Sequence, residues 1–243
     1  MRCTPWLLLL LAACGGGTPA PQAPSKDAAV PEPASSEMTR HFDALEAARD
    51  ALIEGDVLAA RDKLAVLERD VSADGHPSEW ASYLTRLQST LRAGTYTSNP
   101  QSVGRAIAAS AAVCGDCHLD LGARVDLPMP PAPKDNVGVI PHMRRHAWAA
   151  DRMWAGLVGP SPGAWADAAA VLADKPLYEA PEGKLMSDAA RTYAEQVVKD
   201  GVGTLTAASE ERRIELYGDF LGACGSCHVV TDGGPAAVRA SPP

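Results

Sequence analysis

Apolar residues along this chain recur at intervals of three and four, the period of a helix with one buried face, and no run alternates strictly as a strand would. Met38, His41, Leu45, Ala48 and Leu52 form one stripe, and Gly55-Asp56 ends it. Asp56 then caps a second stripe of Val57, Ala60, Leu64, Leu67 and Val71. After the Asp74-Gly75-His76-Pro77 turn, a third helix is expected to bury Trp80, Leu84, Leu87 and Leu91. Asn99-Pro100 starts a fourth, carrying Ile107, Ala111, Cys114, His118 and Leu121.

The scheme then repeats. Residues 123–137 are rich in Pro and read as a linker. Met143 and His146 restate the Met-x-x-His of Met38 and His41, with Met153 and Leu157 on the same face. A short helix holds Trp165, Ala169 and Leu172, and another lies around 187–200. The last starts near Ser209 and carries Ile214, Tyr217, Leu221, Cys224 and His228. Two units of four helices, 37–122 and 138–230, therefore predict an all-α fold of two tandem four-helix bundles, with a disordered tail at 231–243.

Composition sharpens the picture. Ala is abundant and only two Phe are present, so small side chains leave core space for something else to fill. A formal charge of −8 argues against a nucleic-acid surface. Arg2 followed by five consecutive Leu within the short apolar run Trp6–Ala13 reads as an export signal, too short to span a bilayer. Residues 15–36, rich in Gly, Pro, Ala and Ser, read as a flexible tether.

Of six cysteines, four form two pairs, each followed directly by His: Cys114-Gly115-Asp116-Cys117-His118 and Cys224-Gly225-Ser226-Cys227-His228. This spacing suits covalent haem c: two thiols add across two vinyl groups of one porphyrin, and the adjoining imidazole ligates its iron. A four-cysteine zinc site would need no His after each pair. A thioredoxin-like pair would need a strand-rich setting.

Each motif closes its unit, and in this the chain resembles cytochrome c-prime and its relatives, four-helix bundles whose haem hangs from the final helix. The resemblance covers nearly everything after residue 36, once per repeat. It implies two haem c groups, held through Cys114, Cys117, Cys224 and Cys227, with His118 and His228 as proximal iron ligands. In an up-down-up-down bundle the first helix begins beside the end of the last. His41 and His146 are therefore the candidate sixth ligands, with Met38, Met143 and His142 as alternatives. His76 reads as a solvent-exposed turn residue. Trp148, Trp154 and Trp165 read as core or haem packing, and Arg40, Arg144 and Arg145 as a solvated face. Leu11-Ala12-Ala13-Cys14 resembles the bacterial lipobox, implying that 1–13 is a cleaved lipoprotein signal and that Cys14 carries lipid.

Six-coordinate iron leaves no vacant site for substrate. The expectation is thus an electron-transfer protein rather than an enzyme, tethered to a membrane, facing the periplasm or cell exterior, with redox proteins as partners and no nucleic acid. Two alternatives remain: a small-gas binder or sensor like cytochrome c-prime, and a dihaem peroxidase.

Overall fold

The computed structural model describes residues 32–125, 127–134, 138–173 and 186–235. Within these, eight α-helices and a single 3-10 turn make up the regular structure, and the protein is all-α. The signal, Cys14 and most of the tether lie outside the described residues, as does most of the tail.

The first half contains α1 (Glu32–Ile53), α2 (Val57–Asp70), α3 (Ala81–Thr95) and α4 (Pro100–Asp120). The second contains α5 (Val139–Val158), α6 (Pro162–Leu172), α7 (Asp188–Leu205) and α8 (Glu210–Thr231). Side-chain oxygens at the expected N-caps take up backbone N–H groups that each first turn leaves unpaired. Asp56 accepts from Ala59 N, Asn99 from Ser102 N and Ser209 from Arg212 N. Helix α1 is already helical from Glu32, ahead of the expected start at 37.

Leu45, Leu52, Leu64, Leu91, Ile107, Met153, Leu172 and Leu221, from both halves, belong to one contiguous core. Trp154 and Trp165 are buried in it. Trp80 is only half-buried, its ring stacked on His76.

The most extensive helix pairing joins the halves, α4 against α8. Glycine makes this approach possible. A Cβ on Gly104 would stand 2.2 Å from the Gly218 carbonyl oxygen, and one on Gly218 would stand 2.4 Å from Arg105 N. Arg105 reinforces the contact with a two-pronged hydrogen bond to Asp219, at 2.7 and 2.8 Å. The proline-rich segment between the halves packs down. Val125, Leu127 and Ala132 lie against the core, Trp148 Nε1 donates to Pro130 O and Arg145 donates to Pro133 O.

Helices α1 and α5 run antiparallel across the middle. Phe42 meets Trp154, with ring centroids 6.1 Å apart, and further along Arg49 meets Asp151 at 3.0 Å. Arg49 is 4% exposed and also bonds Asp50, while its guanidinium lies 5.1 Å from the Trp154 ring centroid.

Candidate haem-attachment sites

Both Cys-x-x-Cys-His motifs occupy the last turns of long helices, α4 and α8. Residues three apart share a helix face, so Cys114 and Cys117 point the same way, as do Cys224 and Cys227. Burial pushes the Cys114 thiol up to about 12, and raises Cys224 and the two outer thiols as well. Such thiols stay neutral at ordinary pH. Inert, buried thiols of this kind are not poised as reactive thiolates. Among the described residues no group of three or more His, Cys, Asp or Glu is gathered for a metal ion, so the two pairs do not meet in one four-cysteine site.

The motif histidines share a second feature. His118 Nδ1 is 2.8 Å from Val158 O, and His228 Nδ1 is 2.6 Å from Ile53 O. A carbonyl can only accept, so in both rings Nδ1 carries a proton, and in the neutral ring the lone pair is then on Nε2. A carbonyl bond on one ring nitrogen, with the other left to the metal, is the usual arrangement of an iron- or zinc-bound imidazole. Burial lowers the proton affinity of His228, which also favours the neutral ring that a metal requires.

Glycine inside each motif permits this contact. A Cβ on Gly115 would stand 2.0 Å from Leu157 O, and one on Gly225 would stand 2.1 Å from Leu52 O. Beyond α8 the chain folds back over the His228 ring at Gly234, whose φ of +107° suits glycine.

The partners are crossed. The motif of the first half closes on the end of α5, and that of the second half on the end of α1. His41 to Ile53 and His146 to Val158 are both steps of twelve residues, about 18 Å of helix. Each first helix thus carries a candidate sixth ligand in its first half and a proximal carbonyl at its end. His146 is close enough to His228 for that ring to act on its charge. Phe42 lies on Trp154, one turn before Val158, so the His41 end of α1 stands level with the His118 site.

Both candidate sixth ligands are sequestered. His41 is 7% exposed and its Nδ1 is buried with no hydrogen-bond partner; His146 Nε2 is likewise buried and unpartnered. Burial chiefly, then the nearby His142 and Arg145, push His146 down to about 3. Burial also lowers His41, opposed by Glu37. A buried imidazole nitrogen without a partner is costly, and bonding to iron would relieve that cost. Met38 and Met143 are half-buried one turn away, and His142 packs on His146 with centroids 4.3 Å apart.

His76 departs from expectation. It folds onto α1, where its Nε2 lies 3.2 Å from Glu37 Oε1. Pro77 ends the turn and the 3-10 turn through Ser78–Trp80 brings the Trp80 ring against His76, which draws the imidazole out of solvent. Glu37, His76 and the two carbonyls carry no motif signature in sequence. The alignment of Glu37 with His142 in the Met-x-x-His repeat is the one available hint.

Near the second motif, Asp200 is 3% exposed, with Oδ1 accepting from Gln196 and Oδ2 unpartnered. Burial pushes its carboxyl up to about 6. A folded-state value above the unfolded one means that the protonated form is favoured by folding. Stability from Asp200 is therefore full below about pH 3.9 and lost as pH rises through 6. Asp200→Asn should remove this dependence and stabilise the protein at pH 8 by about 1–3 kcal/mol, measured by denaturant unfolding at pH 5 and pH 8. Equal stability of the two proteins at pH 8 would contradict it.

Comparison with protein-family models, curated proteins and solved structures finds no match to this chain.

Proposed function

We propose that the protein is a dihaem c-type cytochrome that transfers electrons, exported and anchored to a membrane through lipid on Cys14. One observation carries the proposal: at both motifs the histidine is fixed by a backbone carbonyl with Nε2 left for iron, and the motif glycine admits the helix end that supplies that carbonyl.

Two tandem c-prime-like units, each contributing one motif, account for the repeat. Cys114 and Cys117 would hold one haem, with His118 on its iron; Cys224, Cys227 and His228 would hold the other. Bound there, haem supplies reversible one-electron chemistry. The chain's own residues set its character. The Val158 and Ile53 carbonyls draw on the Nδ1 protons and make each imidazole a stronger donor. His41 and His146 would supply a second imidazole to each iron, leaving no place for a substrate. Two imidazoles would favour ferric iron more than an imidazole with a thioether, lowering the potentials below those of His/Met centres. Redox proteins of the periplasm or membrane are the partners this chemistry needs. Among the described residues no helix is long and apolar enough to cross a membrane.

The visible and electron paramagnetic resonance spectra of the matured protein test the proposal. Two low-spin ferric haems, and ferrous haems that do not bind carbon monoxide, are expected. High-spin ferric haem with ready carbon monoxide binding would overturn electron transfer in favour of gas binding.

A further inference from the structure

Helices α7 and α8 lie side by side and run in opposite directions. Cys227 Sγ is 4.0 Å from Ala190 O, and a Cβ on Gly203 would stand 3.0 Å from the Leu216 side chain. This register sets Asp200 level with Gly218, six residues from Cys224 and about 9 Å along the helix axis.

Among the described residues Asp200 is the one buried carboxyl. Its Oδ1 accepts from Gln196 Nε2 at 2.8 Å, and its Oδ2 is buried with no hydrogen-bond partner. The charges facing it are mixed. Asp219 and Arg212 act on it from α8, and Lys199 from α7 itself. Arg105 acts from α4, where it is held by its two-pronged bond to Asp219. The one charged residue of α6, Asp167, is paired with Arg152. Burial outweighs these neighbours and favours the neutral acid.

Building on the dihaem proposal above, we infer that Asp200 couples electron transfer at the second haem to the release and uptake of a proton. Ferric haem carries one more positive charge than ferrous haem, so it favours a nearby carboxylate, while ferrous haem favours the neutral acid. On oxidation the iron passes one electron to an oxidised one-electron partner protein. The Asp200 O–H bond breaks, its electron pair stays on the carboxylate, and the proton leaves to water past the half-buried Gln196. Re-reduction of the iron takes the proton back. With the carboxyl raised by burial to about 6, both forms are within reach near neutral pH.

The test is a redox titration of the full-length, matured protein from pH 4 to pH 8, after haem content has been fixed at two per chain. Oxidation should make Asp200 about tenfold more acidic. One of the two waves should therefore fall with rising pH by about 59 mV more than the other. Asp200→Asn, which keeps the shape of the side chain, should abolish this extra fall and leave the other wave unchanged. The redox-difference infrared spectrum at pH 6 should show a protonated carboxyl lost on oxidation, a band missing from Asp200→Asn. An extra fall that persists in Asp200→Asn belongs to the haem propionates and overturns the inference, as does the lack of any extra fall. Either result leaves the dihaem proposal standing. A preparation without two haems overturns that proposal, and the inference with it.

Discussion

Replacing His41 by Ala is expected to turn one of the two haems high-spin and leave the other unchanged. His41 is a buried imidazole inside α1, next to Phe42, whose ring meets Trp154 one turn before Val158. Its removal empties one axial position, and water or a small gas can then enter. Half of the low-spin ferric signal should be lost, and carbon monoxide should bind one haem per chain. His146→Ala should affect the other haem, so the double variant should be wholly high-spin. A spectrum unchanged by His41→Ala would pass the role to Met38, one turn earlier on α1 and half-buried.

Gly104→Val should produce the largest loss of stability. The obstacle is the backbone itself, since the added Cβ would meet Gly218 O at 2.2 Å. No rotamer change relieves such a clash, and α4 must move off α8. The cost belongs at the upper end of overpacking, about 3 kcal/mol, and should lower the melting temperature by about 6–12 °C. Thermal unfolding followed by circular dichroism measures it. Separation of α4 from α8 should also shift both haem spectra, because each motif sits at the end of one of these helices. An unchanged melting temperature would contradict the glycine-mediated crossing.

Much of the helical scaffold was legible from periodicity and caps. Leu45, Ala48 and Leu52 are buried as their spacing predicts, and Asp56, Asn99 and Ser209 cap where expected. These are local signals, read within one or two turns. What the pattern could not carry was the crossing of the halves. It depends on Gly104 meeting Gly218, and on Gly115 and Gly225 meeting carbonyls of distant helices. A glycine inside a helix announces a close approach without naming its partner. For the same reason the carbonyls of Ile53 and Val158 were invisible, since every residue has one.

His76 was misjudged because a turn sequence containing Asp, Gly and Pro implies exposure. Its ring instead finds Trp80 and Glu37.

The pyridine haemochrome of the matured, membrane-extracted protein, taken with its intact mass, tests the central claim most directly. Two haem c groups per chain are predicted, together with a mass increase equal to two porphyrins and a lipid on a chain beginning at Cys14. A colourless protein whose mass equals that of the polypeptide would contradict it.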